Sequence, residues 1–240
     1  MKEVSILSRL GLKAPFFEIG PKNYLYGEQI IELAMTADAA AEEYDIRVIF
    51  TTPYADIRSV AQRTKHLYVF APHMDAIPIG RGLADVLPES VKAAGAVGVM
   101  LNHSERPLSA SVLCATIERA RQLGMMTIAC ADTIRESKAV AQMGPDMMVV
   151  EPVELIGTGE ACGMEYVKAS IDAVRSIDSD IGILVGGGVA NGEDVYNIIM
   201  AGADATGSSS GIAKAADPGA VAREMLRAAR QAWDDRQKGV

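Results

Sequence analysis

The chain has 240 residues, of which 49% are hydrophobic and 22% are charged, a composition typical of a globular protein with a substantial core. Its formal net charge of −8 argues against a nucleic-acid-binding surface and against adsorption to anionic membranes, because both require positive potential. Three cysteines without Cys-x-x-Cys spacing, and no stretch close to the ~18 apolar residues of a membrane span, predict a cytoplasmic protein.

Short apolar runs alternate with longer amphipathic stretches along the whole chain. The runs are continuously apolar, as expected for strands that are covered by helices. Strands are predicted at residues 15–19, 47–51, 67–71, 98–102, 126–131, 146–151, 182–185 and 205–207. Helices are predicted at residues 27–44, 109–123, 134–143, 165–177, 192–201 and 218–232.

Eight strand–helix repeats without a linker or a charge block fit an α/β fold, a single (β/α)8 barrel, which is typically ~250 residues long. An open, doubly wound sheet is the competing fold, but a parallel sheet of that size usually splits or adds a second domain. We therefore predict one domain over residues 1–240, in which residues 1–14 form an N-terminal extension. In such a barrel the reactive groups lie in the loops that follow the strands.

Ionisable side chains follow three of the predicted strands. Lys22 follows the first strand, and Glu151 ends the sixth, where partial desolvation would raise its pKa and make it a stronger base. His103 follows the fourth strand, and a helix that begins just beyond it would favour the neutral imidazole. Glu105 could pair with Lys22. The alternative is that His103 and Glu151 are ordinary residues of surface loops.

Glycine and serine are concentrated after the last three predicted strands. Gly186–Gly188 follow the seventh strand, and Ser209, Ser210 and Gly211 follow the eighth. In barrels of this class these two loops often bind phosphate through backbone N–H groups and a short helix N-terminus. The "IGTG" stretch at residues 156–159 offers further N–H donors on a loop that is long enough to act as a lid.

Three stretches of the chain resemble motifs of the triosephosphate isomerase family, particularly its shorter archaeal members. "LNHSERP" is similar to the histidine motif of that family, "VEPVELIGTG" to its base-and-lid motif, and "GGGVANGEDV" to its seventh-strand phosphate loop. The similarity runs in order from about residue 16 to the final helix, and the base-and-lid string is highly specific.

The resemblance implies a role for each matching residue. Glu151 would be the base and His103 the electrophile, a pairing long established for the family. Lys22 would supply positive charge to the substrate, with Glu105 as its partner. The residues implied to hold the substrate phosphate are Ile156, Gly157, Gly187, Gly188, Ser209 and Ser210. The reaction requires no metal and no organic cofactor, and we expect neither.

The expected activity is the interconversion of a small phosphorylated aldose and ketose, with D-glyceraldehyde 3-phosphate and dihydroxyacetone phosphate as the favoured pair. Departures from the family pattern keep two alternatives open. Gly20-Pro21 replaces the asparagine and apolar residue that precede the lysine, and Leu83 stands where a threonine usually reaches the neighbouring subunit. An isomerase of a four-carbon ketose phosphate such as erythrulose phosphate, as in polyol catabolism, is one alternative; a non-catalytic sugar-phosphate-binding homologue is the other. The resemblance also implies a homo-oligomer, either a dimer or a tetramer.

Overall fold

The computed structural model describes residues 15–239, so the predicted N-terminal extension at residues 1–14 lies outside the described part of the chain. Eight strands close into a barrel in chain order, and every neighbouring pair is parallel. The strands are β1 (Phe16–Ile19), β2 (Arg47–Thr51), β3 (Leu67–Ala71), β4 (Gly98–Leu101), β5 (Met126–Ala131), β6 (Met147–Val150), β7 (Gly182–Val185) and β8 (Ala205–Ser208). The predicted (β/α)8 barrel is confirmed.

Helices follow the strands in alternation and surround the barrel. They are α1 (Glu28–Glu43), α2 (Ile57–Arg63), α3 (Pro88–Ala94), α4 (Ala110–Gln122), α5 (Ile134–Ala141), α6 (Met164–Arg175), α7 (Gly192–Met200), α8 (Ser210–Ala213) and α9 (Pro218–Lys238). Single 3-10 turns at Tyr54–Asp56 and Val153–Leu155 follow β2 and β6. Within residues 15–239, none of the helices combines the length and the apolar character that crossing a bilayer requires.

The predicted and observed elements differ mainly at short helices and strand ends. Helices α2 and α3 have seven residues each, and the sequence pattern did not predict them because an apolar stripe is hard to identify over two turns. The fourth strand ends one residue earlier than predicted because Asn102 adopts a left-handed conformation with φ of 58°. Helix α9 continues six residues beyond its predicted end at residue 232.

The strands separate two apolar cores. Side chains on their outer faces pack against the helices, and side chains on their inner faces fill the barrel. The inner core contains Phe16, Ile49, Phe70, Met126, Ile128, Cys130, Met147, Val149, Leu184 and Ala205. Because side chains alternate along a strand, the inward row of β6 continues from Met147 and Val149 to Glu151. The same alternation turns Glu18 of β1 into the barrel.

Candidate active site

A cavity of about 510 Å³ opens at the carboxyl ends of the strands. All of the predicted site residues line it: Lys22, His103, Glu105, Glu151, Ile156, Gly157, Gly187, Gly188, Ser209 and Ser210. They come from loops after strands β1, β4, β6, β7 and β8, which the closed barrel brings to one mouth. The volume is within the range of pockets that enclose small ligands.

The carboxylate of Glu151 lies just beyond the end of β6 and is largely buried, with 14% of its side chain exposed. Burial raises its pKa to about 7, although the positive charge of Lys22 opposes part of the rise. Gly186, just beyond the end of the neighbouring strand β7, leaves room for this carboxylate, since a Cβ at position 186 would lie 3.1 Å from Oε2 of Glu151. Glu151 is therefore a buried carboxyl with a raised pKa rather than an exposed surface carboxylate.

The imidazole of His103 faces Glu151 from the end of β4. The backbone N–H of Glu105 donates to its Nδ1 at 3.1 Å, so the neutral ring carries its proton on Nε2. That Nε2 atom lies 3.5 Å from Oε1 of Glu151. Burial, followed by the charge of Lys22, lowers the pKa of His103 and keeps the ring neutral near pH 7.

The turn that carries His103 is fixed by the side chain of Asn102. Its Nδ2 donates to the carbonyl oxygen of Cys130 at 3.0 Å, and its Oδ1 accepts from the backbone N–H of Leu108 at 2.9 Å. These bonds tie the loop after β4 to the end of β5 and hold Asn102 in its left-handed conformation. The position of His103 is thus set by the backbone beneath it.

Lys22 reaches the mouth from the loop after β1, where its backbone is also left-handed, with φ of 49°. Its Nζ lies 2.8 Å from Oε1 of Glu105, a residue 83 positions away in the chain. The hydrogen bond from Lys22 lowers the pKa of Glu105, so this carboxylate stays ionised. From this position the charge of the ammonium group acts on both His103 and Glu151.

The loops after β7 and β8 form a second wall of the cavity and are joined to each other. Gly187 and Gly188 have φ values of 96° and 71°, which favour glycine. The hydroxyl of Ser208 donates to the carbonyl oxygen of Val189 at 2.8 Å and so links the two loops. Ser209 caps the one-turn helix α8, and its buried Oγ atom has no hydrogen-bond partner.

The loop between β6 and α6 covers part of this wall. Ile156 and Gly157 line the cavity from the loop, and Gly157 has a φ of 78°. A Cβ at Gly188 would overlap the backbone carbonyl of Glu160, so this loop packs directly on the wall beneath it. Such contact is what a lid over a bound anion needs. Across residues 15–239 no cluster of His, Cys, Asp or Glu has the arrangement of a metal site.

Comparison with known proteins gives the family. The sequence profile described as "Triosephosphate isomerase" matches residues 21–225, which is most of the chain. The chain belongs to the triosephosphate isomerase family. It is 35% identical over 211 residues to the triosephosphate isomerase of Methanobacterium bryantii, covering 86% of this chain and 93% of that protein.

Two further relatives in the triosephosphate isomerase family match over almost their entire length. The triosephosphate isomerase of Saccharolobus solfataricus is 32% identical over 226 residues, which are 92% of this chain and 99% of that protein. That of Sulfolobus acidocaldarius is 34% identical over 229 residues, which are 94% and 99% respectively. Membership of this family makes the chain an aldose–ketose isomerase, and the resemblance stated from the motifs is confirmed.

One group of cavity residues was not predicted from the sequence. Glu18, Thr51 and Thr52 line the floor of the cavity, below the level of Lys22. The sequence signal for Glu18 is a charged residue within the apolar run "PFFEI". Thr51 and Thr52 carry no comparable signal, because threonine is common in strands.

Proposed function

We propose that this family member interconverts D-glyceraldehyde 3-phosphate and dihydroxyacetone phosphate. The observation that carries the proposal is the convergence of Glu151, His103 and Lys22 on one cavity whose opposite wall is formed by glycine and serine loops. Isomerisation of a phosphorylated three-carbon sugar needs both walls, because one has to supply a group that moves a proton and the other has to bind the phosphate. The names of the relatives support the same substrate pair.

The reaction begins with removal of a proton from the carbon next to the substrate carbonyl. Glu151 takes this proton as the base and returns it to the former carbonyl carbon, so the hydrogen count of the sugar is unchanged. The Nε2–H of His103 donates to the oxygen on which negative charge develops, and Lys22 adds its positive charge. A neutral imidazole suits this role, because it can donate a proton to one oxygen and recover it from the next.

The phosphate is held by the second wall of the cavity. Gly187, Gly188, Ser209 and Ser210 would bind it, and Ile156 and Gly157 would close over it from the lid. Closure excludes water from the enediolate and strengthens the electrostatic interactions around it. Glycine at these positions lets the backbone N–H groups approach the anion closely.

We also propose that the protein is a cytoplasmic homo-oligomer, a dimer or a tetramer, that needs no cofactor. The loop after β3 supports self-association, because Ile79 and Leu83 expose 73% and 102% of their surface there. Two apolar side chains so exposed on one loop offer a contact to a second copy. Light scattering on the purified chain measures the assembly.

Incubation of dihydroxyacetone phosphate with the purified chain in D2O tests the function. We expect one deuterium at the carbon next to the carbonyl, together with formation of the aldose, because Glu151 exchanges its proton with solvent. In Glu151→Gln both rates should fall by at least ~10²-fold, whereas Glu32→Gln on the exposed face of α1 should keep them. Binding without exchange in the unaltered protein would instead indicate a non-catalytic homologue.

A further inference from the structure

Glu18 is a buried carboxyl group for which the reaction described above has no use. It lies on the inner face of β1, where it is 8% exposed, and its Oε1 atom has no hydrogen-bond partner. Its inward neighbour on the strand is Phe16, and the inner core below it is apolar. A buried carboxyl with an unpartnered oxygen costs stability, which makes a purely structural role a poor explanation.

Two glycines make the space that this carboxyl occupies. Gly20 lies two residues further along the chain, just beyond the end of β1, and Gly207 is the register partner of Glu18 on β8. A Cβ at Gly20 would lie 2.8 Å from Oε1 of Glu18, and a Cβ at Gly207 would lie 3.1 Å from Oε2. The carboxyl group of Glu18 therefore occupies space on the floor of the cavity that side chains at positions 20 and 207 would fill. Glycine at both positions keeps this space open.

Unpartnered polar atoms are concentrated around the same floor. Among the described residues, the buried side-chain atoms without a hydrogen-bond partner belong to Glu18, Thr51, Thr52, Glu89 and Ser209. All of these residues except Glu89 line the cavity. Buried polar groups are normally paired, so this concentration indicates atoms that await a polar ligand.

The protonation of Glu18 suits contact with a hydroxyl group. Burial raises its pKa to about 7, and the charge of Glu151 adds to the rise. Thr51, which lies against the carboxyl without a hydrogen bond of good geometry, and Lys22 both oppose it. Near neutral pH the group exists in both forms, and the acid form can donate one hydrogen bond and accept another.

We propose that Glu18 is a specificity-determining residue that binds a hydroxyl group of the substrate at the floor of the cavity, so that the enzyme also isomerises a four-carbon ketose phosphate. This inference rests on the proposed function, because it needs the same base and the same phosphate loops. The reacting oxygens and the phosphate of a three-carbon substrate already have partners in His103, Lys22 and the loops. The unpaired Oε1 atom of Glu18 on the floor gains a partner from the substrate only if the substrate carries a further hydroxyl.

Erythrulose 1-phosphate is the four-carbon sugar that fits this geometry. It has the same spacing of phosphate and carbonyl as dihydroxyacetone phosphate, and a hydroxymethyl group replaces one hydrogen on the carbon that loses its proton. Glu151 would move that proton from C3 to C2 while the carbonyl shifts from C2 to C3, giving erythrulose 4-phosphate. The atoms balance without any other reactant.

The test compares kcat/KM for erythrulose 1-phosphate and for dihydroxyacetone phosphate in the unaltered protein, in Glu18→Leu and in Glu18→Gln. We expect turnover of both sugars, and a fall of about tenfold or more in the four-carbon to three-carbon ratio in Glu18→Leu. Glu18→Gln, which keeps a hydrogen-bonding group of the same size, should change the ratio by less than about threefold. Glu18→Val repeats the measurement if the leucine variant folds poorly, and Glu32→Gln on α1 is the control outside the cavity.

Binding constants separate this inference from the proposed function. In a Glu151→Gln background, Glu18→Leu should weaken binding of erythrulose 1-phosphate more than binding of dihydroxyacetone phosphate, by about tenfold. If that difference is found although the unaltered protein converts neither sugar, the isomerase proposal fails and the binding role of Glu18 stands. Turnover of the three-carbon sugar alone, or a ratio that Glu18→Leu leaves unchanged, overturns the role of Glu18 and keeps the isomerase. Neither turnover nor binding of either sugar overturns both.

Discussion

The Nε2 atom of His103 and the Oε1 atom of Glu151 lie 3.5 Å apart, across a cavity to which they are brought by strands β4 and β6. The two side chains have similar exposures, 15% and 14%. Burial has opposite effects on them, because it lowers the pKa of the imidazole and raises that of the carboxyl. Both groups are therefore shifted toward their neutral forms, and the ionised form of Glu151 is a stronger base than an exposed glutamate would be.

This relationship predicts the pH dependence of kcat/KM. The pKa of Glu151 is raised to about 7 by burial, Asp132 and Glu105, against Lys22. Activity should fall about tenfold per pH unit below pH 7, where the base is protonated, and level off above it. Initial rates from pH 5 to 9 measure this limb. Glu18→Gln should retain this fall in kcat/KM below pH 7. If the fall disappears in this variant, the titrating group is Glu18 instead of Glu151.

The ion pair between Lys22 and Glu105 predicts two unequal effects. Lys22→Met removes the positive charge beside the developing oxyanion, and kcat/KM should fall by at least ~10²-fold. Glu105→Gln keeps the backbone N–H that donates to His103 and only loosens Lys22. Because 63% of the Glu105 side chain is exposed, loss of its charge should lower kcat/KM by at most about tenfold. Steady-state kinetics of both variants decide this, and equal losses would show that Glu105 does more than hold Lys22.

The contact between Gly188 and the lid predicts a defect in phosphate binding. In Gly188→Ala the new methyl group meets the carbonyl of Glu160, and a φ of 71° strains the backbone of alanine. We expect KM for a phosphorylated substrate to rise by about tenfold or more. Gly163→Ala is the matched control, since a Cβ at that position meets nothing within 4 Å and its φ is −65°. A similar KM in both variants would place the anion elsewhere.

The buried carboxyl of Glu18, whose Oε1 atom has no hydrogen-bond partner, predicts that a neutral replacement stabilises the fold at high pH. Its pKa is raised to about 7 in the folded chain, so ionisation between pH 4.5 and 7 lowers the free energy of unfolding. Glu18→Gln should therefore be more stable than the unaltered protein at pH 8, by on the order of 1–3 kcal/mol, and this gain should shrink at pH 5. Urea unfolding at both pH values measures it. A less stable variant at pH 8 would mean that the carboxylate has a partner in the folded chain.

The sequence predicted the barrel and the residues of both cavity walls because both depend on local patterns. Continuous apolar runs mark strands that are buried on both faces. Four of the eight predicted strands, β2, β3, β5 and β7, match the observed ones completely, and the other four differ by one residue at one or both ends. Glu151 and His103 follow such runs directly, so their place at the mouth follows from the fold class. The motif strings then gave the family, which the comparisons confirm.

The floor of the cavity depends on neighbours that are distant in the chain. Glu18 in "PFFEI" is a charged residue in a strand, and nothing local shows whether it meets water, a cation or empty space. Closure of β8 onto β1 places Gly207 beside it, and closure of β2 onto β1 brings Thr51 near, so that the carboxyl is buried with its Oε1 atom unpaired. Periodicity along one strand determines which side chains point inward. Whether an inward carboxyl is desolvated, and what remains for it to bind, was decided only by the side chains that the closed barrel packs around it.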